Sequence, residues 1–202
     1  MAGVKEFSSA DLNTISRFGG VSNVLDKING VTVSAASLLL DTYTGAAAAY
    51  SVRKLRTAYT GSAIRVREDS GDTETDIGFD SNGDLDTAAI ATHCGVNNGY
   101  VVTWYDQSGN ANNASQSTNA NQPQIYNGTA VITENGKPAL TFDTSDRATF
   151  TSDDIKSFFI VSAPTNINTG SINAAVGLTT ALRGIAVAGD SGSRQARAFT
   201  NS

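Results

Sequence analysis

Apolar residues in this chain fall into short runs that polar turn residues interrupt, and this pattern limits the fold more than any other feature. The clearest run is "SAIRVRE" at residues 62–68, where Ile64 and Val66 alternate with Arg65 and Arg67. Such alternation is typical of a half-buried strand. The turn "DSGD" then leads into "TETDIGF", and the two runs together predict a β-hairpin.

One segment carries the signals of a helix instead. In "DSNGDLDTAAIATHCG", Asp86 is placed to cap the first turn, and Leu85 and Ile90 are spaced as a hydrophobic staple. Gly95 stands where a helix C-terminus favours glycine. The segment predicts a helix of about two turns.

Further strands are predicted on both sides of this helix and towards the C-terminus. "YVVTWY" is one, and "AVITE" with "KPALTF" forms a hairpin around Asn135 and Gly136. "SFFIVSA" at residues 157–163 is apolar on both faces and predicts a central strand. We therefore expect eight or nine strands and one short helix, which is the pattern of a β-sandwich. No closing strand is evident at the end of the sequence, so we expect a neighbour or further polypeptide to complete the sheet.

Charge and cysteine content exclude several classes of protein. The net charge of −5 and the pI near 4.7 argue against a nucleic-acid-binding protein. Cys94 is the single cysteine, which excludes an intramolecular disulfide. No apolar run approaches a membrane span, and the first residues lack the apolar core of a secretion signal. We expect a protein that folds in the reducing cytoplasm.

The first thirty residues contain a short repeat. "ISRFGGV" at residues 15–21 and "LDKINGV" at residues 25–31 match by residue type at every position, and each predicts a strand end followed by a turn. Two such units cannot enclose a core, so we expect residues 1–34 to be an attachment segment and residues 35–202 to form the sandwich. A flexible leader is the alternative. The predicted attachment residues are Ile15, Phe18, Val21, Leu25, Ile28 and Val31.

The stretch "VVTWYDQSGNANNASQ" begins as a strand and ends as a polar loop. Asp and Asn side chains in such loops bond to nearby backbone N–H groups, which favours a structural corner. An aromatic ring beside amides and a carboxylate is also a common way to hold a sugar. Both interpretations stay open. The candidate ligand-binding residues are Trp104, Tyr105, Asp106, Gln107 and Asn110.

The acidic turn "DSNGDLD" spaces its carboxylates like the first ligands of a calcium-binding EF-hand. Leu85 and Ala91 stand where that loop requires glycine and glutamate, so an EF-hand is excluded. A looser calcium site at Asp80 or Asp84 stays open, but a solvated turn accounts for the pattern. We predict no metal and no cofactor.

Several stretches resemble the catalytic domain of α-L-arabinofuranosidase B and the related modules of bacteriophage structural proteins. They are "AYSVRKLRTAYTGSAIRVRE", "DIGF", "GYVVTWYDQSGNANNASQ", "QPQI" and "NGKPALTFD", between about residues 39 and 146. The resemblance implies a concanavalin A-like jelly-roll sandwich. "ISRFGGV" and "LDKINGV" also resemble short units that precede such modules in phage virion proteins.

The resemblance also implies where catalytic groups would lie. The family carries its nucleophile and acid/base downstream of these stretches, near a cysteine-containing region, and residues 142–202 have no cysteine and no matching glutamate motif. No catalytic residue can therefore be assigned to a position of this chain, and we expect a protein that is not an enzyme.

The function predicted from the sequence is that of a tailed-bacteriophage virion structural protein, a tail or head fibre or appendage component. Its expected partners are other virion proteins, further copies of itself and a host-surface glycan, without nucleic acid or membrane. The main alternative is a glycoside hydrolase or depolymerase of the arabinofuranosidase type. A free bacterial sugar-binding protein is a third.

Overall fold

The structure, a computed structural model, describes residues 37–143, 145–151, 157 and 159–163, together with the backbone of five further strand segments. In the part that the structure describes, the chain is mainly β, its sheets are antiparallel, and its longest helix has eight residues. The strands are β1 (Lys27–Ile28), β2 (Val31–Thr32), β3 (Ile64–Glu68), β4 (Glu74–Ile77), β5 (Asn98–Trp104), β6 (Ala114–Ser115), β7 (Gln124–Asn127), β8 (Thr133–Glu134), β9 (Lys137–Pro138), β10 (Ile172–Gly177), β11 (Gly184–Asp190) and β12 (Ser193–Phe199). The helices are α1 (Leu39–Thr42) and α2 (Thr87–Cys94), with a 3-10 turn at Asn119–Asn121.

The main sheet has five strands and is organised around β5. Its order is β4-β3-β5-β6, and β7 pairs with the other half of the β5 edge that β6 uses. The predicted hairpin of β3 and β4 is confirmed, with Ile64 opposite Ile77. The sandwich prediction of a mainly β chain with antiparallel sheets and one short helix is likewise confirmed.

Helix α2 has the two ends that the sequence predicts. The Asp86 carboxylate accepts the N–H of Ala89 at 2.9 Å, and Gly95 adopts φ +58° and donates to the carbonyl of Ala91. Because a side-chain cap satisfies an otherwise unpaired N–H group, a helix this short can persist once it packs on a sheet.

The core lies between α2 and one face of the main sheet. Ile90 and Cys94 of the helix join Ile64, Val66 and Val101 of the sheet, and all five are at most 2% exposed. Each fully buried aliphatic side chain contributes about 1.5–3 kcal/mol. The helix and sheet therefore stabilise each other mainly through this apolar layer.

Gly99 permits the close approach of α2 to β5. A Cβ atom at this position would lie 2.7 Å from the Sγ of Cys94 and 3.0 Å from the Cβ of Tyr126. Those distances are shorter than real carbon contacts, so a side chain here would push the helix or β7 away from the sheet.

The smaller sheets confirm two predicted turns. One predicted strand, at residues 157–163, is wrong. Strands β8 and β9 pair around Asn135 and Gly136, and β1 pairs with β2 so that Ile28 lies opposite Val31. The predicted central strand at residues 157–163 is wrong for its described residues, which are not in a strand; Phe159 is 98% exposed. An apolar run becomes a central strand only when other strands pair with both of its edges and other layers cover both of its faces.

The C-terminal part forms its own antiparallel sheet in the order β10-β11-β12. Its last strand, Ser193–Phe199, stands where the sequence analysis expected no closing strand. The attachment residues Ile15, Phe18, Val21 and Leu25 lie outside the described residues. The division into residues 1–34 and 35–202 stays a prediction.

Neither helix in the part of the chain that the structure describes reaches the length and apolarity needed to cross a bilayer.

Replacing Gly99 with alanine is expected to lower the free energy of unfolding by about 1–3 kcal/mol, because the added methyl group overpacks the interface between α2 and β5. Urea denaturation measures the loss. Gly78→Ala is the matched control, since a Cβ at Gly78 meets no atom within 4 Å. Equal stability of the two variants would contradict the close approach described for Gly99.

Candidate functional site

The end of strand β5 turns into the interior of the protein. Asp106 is 4% exposed and Gln107 is fully buried. The Oδ1 atom of Asp106 accepts the N–H groups of Ala49 and Ser108, both at 2.8 Å, and its Oδ2 atom accepts the N–H of Asn112 at 3.1 Å. A buried carboxylate needs such donors to offset its loss of water.

Gln107 extends the same contact along the chain. Its Oε1 atom accepts the N–H of Leu55 at 2.8 Å, and its Nε2 atom donates to the carbonyls of Ser51 and Arg53, both at 2.9 Å. The backbone N–H of Gln107 donates to the carbonyl of Ala49. The side chain thus satisfies the backbone of a segment that has no regular strand partner.

Asparagines complete the contact at the surface. The Nδ2 atom of Asn110 donates to the carbonyls of Ala46 and Ala47 at 2.9 and 3.1 Å, and that of Asn112 donates to Ala47 at 2.8 Å. We call Asp106, Gln107, Asn110 and Asn112 the clamp, because together they hold residues 46–55 against the end of β5.

The clamp gives most of the candidate ligand-binding residues a structural role. The polar atoms of Asp106 and Gln107 bond within the chain, and neither side chain is accessible to a glycan in this conformation. The structure therefore favours the corner interpretation at these two positions. Glycan contact by Trp104, Tyr105 and Asn110 stays a prediction.

Trp104 and Tyr105 point to opposite faces of the sheet, as strand alternation predicts. The Trp104 ring packs against the core and lies 6.0 Å from the ring of Tyr50, which in turn lies 5.3 Å from Phe150. The Trp104 Nε1 atom is buried and has no hydrogen-bond partner in the described part of the chain. Tyr105 instead reaches the outer face, where its hydroxyl donates to Asp76 at 2.7 Å.

The outer face of the main sheet carries a connected set of polar side chains. The Arg65 guanidinium donates to both carboxylate oxygens of Asp76, at 2.7 and 3.1 Å, and lies 3.7 Å from Glu74. In the sheet register Arg65 is also opposite Thr103, and Thr103 is opposite Ser115. We call Arg65, Glu74, Asp76, Thr103, Tyr105 and Ser115 the polar face.

Electrostatics keep the carboxylate at the centre of the polar face ionised. Hydrogen bonds from Arg65 hold the pKa of Asp76 below its usual value, while the pKa of Arg65 is raised in return. Burial, followed by the contact with Asp76, raises the pKa of Tyr105 to about 12. At neutral pH the face therefore presents an anionic Asp76 beside a neutral phenol and several hydroxyls, groups that can bind sugar hydroxyls.

Sequence reasoning missed the polar face. Its signal was present in "SAIRVRE" and "TETDIGF", because pairing these strands across the "DSGD" turn places Arg65 opposite Asp76. The alternation in "SAIRVRE" by itself predicts only that Arg65 and Arg67 lie on the side of the strand away from Ile64 and Val66. Opposite charges directly across a pair of antiparallel strands are expected to interact.

The acidic turn after β4 satisfies its own charges. Asp80 accepts the N–H groups of Asn82 and Asp84 at 2.8 and 3.0 Å, which lowers the pKa of its carboxyl, and Asp84 pairs with Arg53 at 3.0 Å. Within the described residues, no three acidic, histidine or cysteine side chains are grouped to hold a metal ion.

Comparison with known proteins decides the family. The model of the family "Alpha-L-arabinofuranosidase B, catalytic" matches residues 39–170, which is more than half of the chain. The chain belongs to this family. The arabinofuranosidase match includes both sides of the clamp and the whole polar face.

A solved structure described as a GH54 α-L-arabinofuranosidase soaked with a cyclic sulfate inhibitor is also similar. The two chains are 27% identical where they align, with a TM-score of 0.38. The match covers 43% of this chain and 21% of that chain, so the protein spans a minor part of that enzyme's length. No curated protein sequence matches with significance.

The arabinofuranosidase match corrects two expectations. The prediction that the chain is not an enzyme is wrong, because the family whose model matches is that of a catalytic domain and points to a glycoside hydrolase. The family model also matches beyond residue 146, where the resembling sequence stretches end, and reaches residue 170. The comparisons give no support to the virion assignment.

Replacing Gln107 with glutamate is expected to lower the free energy of unfolding by about 2–4 kcal/mol at neutral pH, because a carboxylate oxygen would face the carbonyls of Ser51 and Arg53. Burial raises the folded-state pKa of such a carboxyl, so the loss is smaller in acid and grows as pH rises. Chemical denaturation at neutral pH and in acid measures the loss of stability. Glu134→Gln, an exchange of the same groups at an exposed position, should leave stability unchanged.

Proposed function

We propose that this chain is a glycoside hydrolase of the arabinofuranosidase type, which removes α-L-arabinofuranosyl units from a polysaccharide. The observation that carries the proposal is the family match over residues 39–170. In the reaction, water is added across the glycosidic bond, so that the leaving oxygen gains a proton and the sugar carbon gains a hydroxyl. Glycosidases usually divide these tasks between two carboxyl groups.

The polar face supports the proposal with two carboxylates on one strand. Glu74 and Asp76 are separated by one residue on β4, so their Cα atoms lie about 7 Å apart on the same side of the sheet. Both side chains are exposed, and Arg65 contacts each of them. The catalytic carboxyl groups of glycosidases lie about 5–9 Å apart, depending on mechanism.

The environment of Asp76 suits one of the two tasks. Arg65 and Tyr105 keep its carboxylate ionised, and an anion beside the sugar stabilises the positive charge that develops on the ring in the transition state. Glu74 accepts a longer contact from Arg65 at 3.7 Å and is the neighbouring carboxyl that would face the leaving oxygen.

A second arrangement places the cleaving carboxyls beyond residue 142, as the sequence resemblance implies. The polar face would then position the sugar without taking part in bond cleavage. The two arrangements differ in kinetics. Loss of a catalytic carboxyl lowers kcat, whereas loss of a positioning contact raises KM and leaves kcat nearly unchanged.

The full chain is expected to hydrolyse a nitrophenyl α-L-arabinofuranoside, with nitrophenol release as the measurement. Glu74→Gln and Asp76→Asn are each expected to lower kcat by about 100-fold or more. Glu134→Gln is the matched control, because Glu134 is exposed on the β8–β9 hairpin. A folded chain that releases no nitrophenol would contradict the proposal, and a KM effect alone would assign the polar face to positioning.

The virion position is a separate proposal and does not exclude hydrolase activity. Its support is the repeat in residues 1–34, whose second unit includes β1 and the first residue of β2. In this proposal the segment docks onto other virion proteins, further copies assemble beside it, and the sandwich faces a host-surface glycan.

Deleting residues 1–34 is expected to abolish incorporation into purified phage particles, with quantitative mass spectrometry as the measurement. The physical reason is that two short repeat units gain order only against a partner surface. The full-length chain in the same preparation is the control. Truncated chain at normal occupancy would contradict an attachment role for the segment.

A further inference from the structure

The described part of the chain contains four asparagines that are followed directly by glycine: Asn82, Asn98, Asn127 and Asn135. An Asn–Gly pair can react with its own backbone. The glycine nitrogen attacks the side-chain carbonyl carbon of the asparagine, ammonia leaves, and water opens the resulting ring to aspartate or isoaspartate. Glycine carries no side chain that would block this approach. Because the reaction needs only water, the hydrogen bonds of each pair decide where it proceeds.

Asn98 is held at both ends of its side chain. Its backbone N–H and its Nδ2 atom donate to the two carboxylate oxygens of Asp69, at 3.0 and 2.9 Å. Its Oδ1 atom accepts the side-chain amide of Gln124 at 3.2 Å. The following Gly99 is buried in β5, where it packs against Cys94. The reaction at Asn98 therefore requires the strand to open.

Asn82 and Asn127 are exposed, but each pair has one reacting group engaged in its own turn. The N–H of Gly83 donates to the carbonyl of Asp80 at 3.1 Å. The Oδ1 atom of Asn127 accepts two backbone N–H groups of the following residues, at 3.1 and 2.9 Å, which fixes the side chain in that orientation. In both turns a hydrogen bond must break before the two groups can meet.

Asn135 has neither restraint. It is exposed, with φ +50°, in the two-residue turn between β8 and β9. Within the described residues, its side chain makes no hydrogen bond and the N–H of Gly136 donates to no carbonyl. A Cβ atom at Gly136 would meet nothing within 4 Å, so the turn is surrounded by open space. Both reacting groups are free to move, as is typical of an exposed loop tip.

We propose that Asn135 is a deamidation site, at which the folded protein converts the amide to aspartate or isoaspartate while Asn82, Asn98 and Asn127 stay intact. The inference does not depend on hydrolase activity. The product adds a negative charge beside Glu134, and isoaspartate adds a carbon atom to the main chain of the turn. Since a two-residue turn fixes the register of its strands, the pairing of β8 with β9 weakens.

Incubation of the full chain in mildly alkaline buffer, followed by cleavage after glutamate and mass spectrometry, tests the proposal. Cleavage after Glu134 separates Asn135 from the other three pairs, which stay together in residues 75–134. Asn135 should deamidate about tenfold or more faster than Asn98, because the hydrogen bonds at Asn98 must open first. Asn135→Gly, which keeps a residue suited to the positive φ, should leave residues 135–202 without this modification.

The same chain unfolded in urea is the control. Without the fold, the four Asn–Gly pairs lose their hydrogen bonds and should react at similar rates. A faster reaction at Asn135 that persists in urea would assign the selectivity to the neighbouring sequence and overturn the structural argument. Equal rates at Asn135 and Asn98 in the folded chain would overturn it too, as would a folded chain in which Asn135 stays intact while its unfolded counterpart reacts.

Discussion

The contact between the end of β5 and residues 46–55 is the constraint on which the rest of the structure depends. Asp106 and Gln107 bury their polar groups against backbone atoms of a segment that pairs with no strand. Removing either side chain would leave several buried N–H and C=O groups without partners, each at a cost of about 1–3 kcal/mol. The same segment carries Tyr50, which packs near Trp104. The clamp thus positions an aromatic ring that packs beside the core.

The two faces of the main sheet carry different kinds of side chain. Its inner face packs apolar side chains against α2, and its outer face carries the charged and hydroxyl groups. Arg67 shows how polar groups are held at the boundary. Its guanidinium is nearly buried, donates to Gln122 at 2.8 Å and lies 5.2 Å from the centre of the Tyr100 ring. These groups are satisfied within the chain, whereas Glu74 and Asp76 are exposed on the outer face.

Local features of the fold could be predicted from the sequence because they depend on neighbouring residues. The caps of α2, the hairpin of β3 and β4, and the turn at Asn135 and Gly136 all follow from short-range geometry. The clamp could be suspected only as a corner, since its partners lie more than fifty residues apart. Periodicity also predicted a central strand at residues 157–163, but strand pairing is a long-range property that an apolar run alone does not determine.

The candidate site, like the fold, could be predicted only in part from the sequence. The sequence indicated an aromatic and amide motif, and the structure turned most of that motif inward and placed the exposed carboxylates on β4. The match to the arabinofuranosidase catalytic domain supports the proposal of a hydrolase better than that of a virion structural protein. The family match alone does not say which surface meets the sugar. That assignment comes from the charges and hydroxyls that the fold leaves exposed.

The central claim is that the clamp is structural and that sugar meets the polar face, and a nuclear magnetic resonance titration with an arabinofuranosyl oligosaccharide tests it most directly. The account predicts that the backbone amide signals of Arg65, Asp76 and Tyr105 move with ligand concentration, while the side-chain amide signal of Gln107 stays in place and remains protected from solvent exchange. Movement of the Gln107 signal with the polar-face signals unchanged would contradict it.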